Sequence, residues 1–167
     1  MNKKNNKLQF DEITKDILNH DEFIKTKYEK HHGITRYDHL VRVSYYTYKV
    51  TKLLRLNYVE ATRGALLHDF FTDEVKKENS ISRLRKHPNY ALDNSKKHFD
   101  ITSLEENIIK THMFPVTFTP PRYLESWIVV FMDNIAGIGE KTCSVSRQLR
   151  PAAMFLFLLV FNFLRIP

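Results

Sequence analysis

Apolar residues along this chain recur at intervals of three and four, the period of an amphipathic helix, far more than at the interval of two that marks a strand. "DEITKDILNHDEFIKTKYEK", residues 11–30, reads as one or two such helices with mixed charge. "HHG" then breaks the pattern. Thr35 stands three residues before Asp38, the hydroxyl–carboxylate spacing of a capping box, and opens a helix through "YDHLVRVSYYTYKVTKLLRL". A second helix covers "YVEATRGALLHDFF". "TDEVKKENSISRLRK" is polar and reads mostly as loop, and the next helix is expected to begin at His87-Pro88, because proline favours the first helical position. Thr102 and Glu105 repeat the capping-box spacing and open "SLEENIIKTHM", which Pro115 stops. "TPPRYLESWIVVFMDNIAG" starts at a proline and is expected to end at Gly137. With only four glycines in 167 residues, the pattern predicts an all-α chain.

That length suits one domain with a real core. We expect residues 1–30 to form an N-terminal helical extension, 31–140 the central domain and 141–167 a basic and apolar tail. The tail, "RPAAMFLFLLVFNFLRIP", carries an apolar run of about ten residues before Asn162, where a membrane span needs roughly 20. We therefore expect no transmembrane span, and a helix that packs on the domain or on a second copy in a homodimer. One cysteine excludes a disulfide framework and a cysteine-rich zinc site. The basic N-terminus is followed by no apolar stretch of a secretory signal, so a cytoplasmic location is expected. The net charge of +7 suits anionic small molecules. It is also common for a solvated surface, so nucleic acid is not the expected partner.

Against this background a few polar residues stand out. His68-Asp69 closes the apolar run "RGALL", and burying an unpaired charge there would cost several kcal/mol. His39 lies near the start of its helix, with Val43 and Tyr46 at +4 and +7. Asp133 follows "IVVFM" on a helix apolar nearly all round, sharing a face with Ser126 and Val129. His87 and His112 fall at helix termini. Together they offer hard oxygen and borderline nitrogen donors, a mixture that suits Mn, Fe, Co, Ni or Zn and, with fewer histidines, Mg. Helix ends can converge on one such site. The chain has no H-E-x-x-H, and "GIGEKT" lacks the spacing of a phosphate loop. His98, eleven residues after His87, would lie about 16 Å from it along a helix, too far to share an ion. His31 and His32 read as loop and His20 as surface.

The ordered set H…HD…H…H…D in a helical chain resembles the HD superfamily of metal-dependent phosphohydrolases, over roughly Gly33 to Ile138. "HHGITRYDHLVRVSYYTYKV", "RGALLHDFF", "KHPNYAL" and "IIKTHMFPVTFTPPRYLESWIV" are similar to a group of small bacterial HD-domain proteins. The resemblance implies a single-domain HD-type helical bundle with its metal site between central helices. It makes His39, His68, Asp69 and Asp133 a four-ligand set. His87 and His112 match the extra histidines of the two-metal branch, in which the aspartate corresponding to Asp69 bridges both ions and is catalytic. The implied cofactors are two divalent ions, Fe or Mn foremost, with Mg, Co, Ni and Zn as alternatives. The implied reaction is hydrolysis of a phosphoester, in a small phosphate compound or nucleotide, by a metal-activated water. Arg36, Arg42 and Lys86 are candidates to hold the phosphate, Arg42 lying one turn from His39 and Lys86 adjoining His87. Asp73, Glu74, His31 and His32 are the candidates to protonate the leaving group. The chain departs from that superfamily's patterns after the HD pair: "HDFFTDE" lacks the lysine of the phosphodiesterase branch, and Thr72 stands where the 5'-nucleotidase branch has glutamate. Neither substrate carries over. The alternative reading is a non-catalytic nucleotide-sensing or partner-binding module with a structural metal.

Overall fold

The structure, a computed structural model, describes residues 3–31, 34–71 and 80–141. The expectations for His32, Asp73, Glu74, the side chain of His31 and the tail beyond Lys141 lie outside the described residues. In chain order the elements are α1 (Lys3–Leu18), α2 (Asp21–Ile24) running into a 3-10 turn (Lys25–Tyr28), β1 (Lys30–His31), β2 (Ile34–Thr35), α3 (Arg36–Leu53), α4 (Tyr58–Leu67), α5 (Ser80–His98), α6 (Ser103–Thr111) and α7 (Leu124–Lys141). The domain is all-α as expected. Two antiparallel residue pairs, His31 opposite Ile34 and Lys30 opposite Thr35, join β1 to β2.

Short side chains start these helices where the spacing placed them. Thr35 caps α3 by accepting from Asp38 N at 3.1 Å, and its hydroxyl donates to Asp38 Oδ2 at 2.7 Å. Thr102 and Glu105 form the reciprocal capping box at α6. His20, expected on the surface, caps α2 by accepting from Glu22 N through its Nδ1.

Three helix boundaries differ from expectation, and each bears on the site. α4 stops at Leu67, so His68 and Asp69 stand in the turn beyond it, with Phe70 N bonded back to Leu67 O. α5 contains Pro88 in its interior rather than starting there. An interior proline costs roughly 3 kcal/mol, part of it the lost bond to the carbonyl four residues earlier. Here that carbonyl belongs to Leu84, an exposed residue, and the Pro88 ring itself is buried. α7 starts three residues after Pro121 and continues through Gly137 and Gly139 to Lys141. Helical glycine costs only about 0.5–1 kcal/mol relative to alanine, which packing of a neighbouring face readily outweighs.

α3 is the centre of the bundle, packed on α4 along its length and on α7, while α6 packs on both α4 and α7. Phe23, Leu40, Leu67, Phe70 and Ile109 are fully buried on one side, and Val43, Ala65, Ile108 and Val129 on the other. Burying each large side chain contributes roughly 1.5–3 kcal/mol. Gly64 sets the approach of α4 to α6: a Cβ there would stand 2.9 Å from Ile108 Cδ1.

Candidate metal centre

Five helices each deliver part of the site. His39 comes from the first turn of α3, His68 and Asp69 from the turn after α4, His87 from the middle of α5, His112 from the C-cap of α6, and Asp133 from α7. His39, His68, Asp69, His87 and His112 are buried. His39, His68 and Asp69 form one group that could hold a metal ion, and Asp69, His87 and His112 form another; within each, the donor atoms lie within 4.8 Å of one another. Asp133 joins the first group, its Oδ1 standing 3.0 Å from His39 Nε2 and 3.6 Å from His68 Nε2. Asp69 Oδ1 stands 3.2 Å from His87 Nε2 and 3.4 Å from His112 Nε2.

The rings are aimed by bonds on their outer edges. His68 Nδ1 lies 2.7 Å from Ala65 O, and His112 Nδ1 lies 2.8 Å from Ile109 O. A carbonyl only accepts, so each Nδ1 carries the proton and donates. In the neutral ring that leaves Nε2 as a lone pair facing inward, the arrangement characteristic of metal-ligating histidines. Both bonds run to the carbonyl three residues earlier at a helix end, one of the groups the helix leaves without an intrahelical partner. His68 Nε2 and Asp69 Oδ1 are buried without a hydrogen-bond partner. Leaving such a group unsatisfied costs about 1–3 kcal/mol, and a cation held among these atoms would satisfy both. The donor set fits a divalent ion.

The electrostatics point the same way. Burial pushes the Asp69 carboxyl upward, but the neighbouring imidazoles, His87 foremost and then His112, outweigh it and hold Asp69 well below the usual carboxylate range. Asp133 is likewise held below it by His39 and His68 against the effect of burial. Burial opposes charge on His39, yet Asp133 and Glu140 keep its pKa up at about 10. Burial lowers His112. Positive charge is thus wanted at the centre of this cluster. The Asp133 side chain is 20% exposed, the wettest of the group, so solvent reaches the site along α7.

The three candidate phosphate holders fare differently. Arg36, expected to face a substrate, is buried: its Nε is 2.6 Å from Glu29 Oε2, its NH1 donates to Asp69 O at 3.3 Å, and its guanidinium lies 3.8 Å over the Phe71 ring. It braces the His68–Asp69 turn. Arg42 is partly exposed and donates from NH1 to Glu140 Oε1 at 3.0 Å. Lys86 is exposed beside His87. Tyr46, placed with His39 by its +7 spacing, is exposed. His98 sits beside His20, ring centroids 5.0 Å apart, and in neither donor group.

Glu140 is the residue that sequence reasoning missed. Its buried carboxylate bonds His39 through Oε2, 2.9 Å from Nδ1. The signal was present: Glu140 follows Asp133 by seven residues, two turns along one face, but ending the helix at Gly137 concealed it.

A cleft of about 570 Å³ lies beside α5 and α6, lined in part by Arg85, Pro88, Lys110, Thr111 and Arg122; Pro88 and Thr111 adjoin His87 and His112 in the chain. No helix among the described residues is long and apolar enough to cross a membrane. Comparison with protein-family models, curated proteins and solved structures gives no match. Fold and site together define an all-helical domain with two overlapping buried His/Asp groups that could hold metal ions.

Proposed function

We propose that this protein is a metal-dependent phosphohydrolase of the HD type that cleaves a phosphoester in a small phosphate compound or nucleotide. In this reading His39, His68 and Asp133 hold one divalent ion, His87 and His112 hold a second, and Asp69 is shared. The observation that carries it is the pair of buried donor groups with Asp69 common to both. A lone ion needs only three or four protein donors, and this chain converges six. Nitrogen and oxygen donors in this mixture suit Mn, Fe, Co, Ni or Zn, and the resemblance puts Fe and Mn foremost. When bound, such ions supply Lewis acidity at a phosphoryl group and a nucleophile competent at neutral pH.

The chain's own residues do the rest. Ala65 O and Ile109 O hold His68 and His112 with Nε2 turned inward. Arg36 fixes the turn that carries Asp69. Asp133 lies at the solvent-accessible edge, where a substrate would arrive. Arg42 keeps guanidinium donors beyond the one spent on Glu140, and Lys86 is exposed beside His87; in this reading both attract phosphate. Arg85 and Arg122 give the neighbouring cleft positive charge, while Lys110 there is paired with Glu106.

The test is a panel of phosphomonoesters, phosphodiesters and nucleotides, assayed after the purified protein is reloaded with Mn or Fe, alongside metal content. Hydrolysis that depends on added metal and vanishes in Asp69→Ala is expected. Two bound ions with no turnover across the panel would instead support a sensing or partner-binding module.

A further inference from the structure

Glu140 has a fully buried carboxylate whose two oxygens are both engaged. Oε2 is 2.9 Å from His39 Nδ1, and Oε1 is 3.0 Å from Arg42 NH1. On its other edge, His39 presents Nε2 to Asp133 Oδ1 at 3.0 Å. The imidazole is therefore gripped between a carboxylate outside the donor groups and one inside. His68 and His112 are each aimed by a carbonyl of their own helix end, but His39 lies in the first turn of α3, where backbone N–H groups rather than carbonyls are left over. No carbonyl three residues back is available to orient it in the same way, and α7 supplies a side chain instead. That requires α7 to run through Gly137 and Gly139, as it does.

We propose that Glu140 is a positioning residue: it holds His39 with Nδ1 protonated and Nε2 directed at a metal ion, and Arg42 in turn anchors and neutralises Glu140. This rests on the reading of His39 as a ligand. A carboxylate behind a ligating histidine fixes its tautomer and raises its basicity, and its loss typically weakens metal binding about 10–100-fold. Arg42 thereby gains a role besides any contact with substrate. A merely structural ion pair at the end of α7 would behave differently, because its loss would loosen the whole bundle and both donor groups together.

The experiment titrates metal-stripped full-length protein with Co(II) alone, following visible absorption and bound metal, for wild type, Glu140→Ala, Glu140→Gln and Arg42→Ala. In the Co(II)-loaded proteins, proton NMR follows the exchangeable Nδ1–H of His39. Wild type is expected to bind two ions. Glu140→Ala should keep the ion of the His87–His112 group, bind the other about 10–100-fold more weakly and lose the His39 Nδ1–H signal. Glu140→Gln, whose amide oxygen still accepts, should lie closer to wild type, and Arg42→Ala should fall between. Should Glu140→Ala fail to fold, the Gln and Arg42 variants carry the test through the same selective loss. Equal affinity for both ions in all variants overturns the proposal, as does a parallel loss of both ions with the melting temperature. If wild type binds no ion at all, both this proposal and the ligand reading beneath it fall, an outcome distinct from ions that bind without regard to Glu140.

Discussion

The Nε2 atoms of His87 and His112 stand 2.9 Å apart, with Asp69 Oδ1 within 3.4 Å of each. His112 already donates from Nδ1 to Ile109 O, so in the neutral ring its Nε2 faces His87 with a lone pair. Two ring nitrogens at this separation need a proton or a cation between them. His87→Ala or His112→Ala should therefore reduce bound metal from two ions to one, while Asp69→Ala, which strikes both groups, should abolish binding. Elemental analysis of protein purified without chelator checks this. Chelation should also lower the melting temperature of wild type, since saturation at 100 times Kd stabilises the fold by about 2.7 kcal/mol. It should leave Asp69→Ala unmoved. A stoichiometry of one, unchanged in His87→Ala, would sink the two-ion site.

Arg36 tests whether the turn carrying Asp69 depends on its brace. The guanidinium bonds Asp69 O, pairs with Glu29 and covers the face of Phe71. Lysine has neither the planar fork nor the stacking surface. Arg36→Lys should cost about 1–3 kcal/mol of stability, the range for a buried polar group left unsatisfied. Metal affinity should fall as well, because the Asp69 backbone loses its anchor. Thermal melts in chelator separate the two effects. If stability and affinity are both unchanged, the arginine is not a brace.

How far the sequence foretold this site depends on what each residue needed. His39 and Asp133 were legible because helical period puts polar groups on apolar faces only for a reason, and the helices themselves were legible from that period; His68-Asp69 stood out as charge closing an apolar run, and His87 and His112 as imidazoles at expected helix ends, although His87 lies inside α5. Their convergence was not readable from period; it came from the resemblance. Glu140 was lost to a glycine rule worth under about 1 kcal/mol, which packing of α7 on α3 overrides. Pro88 misled in the same way, since a preference for first turns does not forbid a helix interior. Arg36 misled for another reason. Sequence places a guanidinium at the cap of α3 but does not say which way its rotatable bonds will turn it.

A third expectation concerns Arg63, which donates from Nε to Glu105 Oε1 at 3.1 Å and from NH1 to Asp16 Oδ1 at 2.7 Å and to Ile13 O. Glu105 is 1% exposed and anchors the capping box of α6. Arg63→Ala would strand that carboxylate; full burial of both partners would cost about 3–5 kcal/mol, and the partial exposure of Arg63 reduces this to about 1–3 kcal/mol. The pH dependence has a definite sign. Burial raises the Glu105 pKa above its ordinary value despite Thr102 N–H and Arg63, so protonation favours the folded state and the stranded charge is relieved as pH falls through the folded value. Burial also pushes Asp16 upward, but Arg63 reverses this and holds it low, so the stability Asp16 lends wild type is present above its unfolded pKa and lost as pH falls toward the folded one. Both effects shrink the gap between variant and wild type in acid. Melting curves should begin to converge as Glu105 protonates and continue below the ordinary aspartate value of about 3.9, where Asp16 follows, in a series from neutral pH to about pH 3; a gap that widens in acid would contradict this sign.

The last expectation links core packing to the metal centre through Gly64. His68 is the C-cap of α4 and His112 that of α6, so the distance between the two helices sets how the two donor groups meet. At Gly64 a Cβ would meet Ile108 Cδ1 at 2.9 Å and Ile108 Cβ and Cγ2 at 3.2 Å. The Cδ1 contact can be relieved by rotating a side-chain end. Cγ2 can follow a rotation about χ1, but Cβ is fixed to the α6 backbone and its contact is relieved only by moving the helix. Gly64→Ala should gain up to about 1 kcal/mol of helix propensity and lose about 1–3 kcal/mol to overpacking, for a net loss. Ile108→Val removes Cδ1 alone, so the double variant should recover part of that loss and no more. Because α6 must shift, the affinity of the His87–His112 group should fall in Gly64→Ala, while the group built on His39 and Asp133 should be less affected. Denaturation melts and metal titration of the single and double variants measure both. A stabilised Gly64→Ala with unaltered metal binding would mean that α4 and α6 have room to part without disturbing the site.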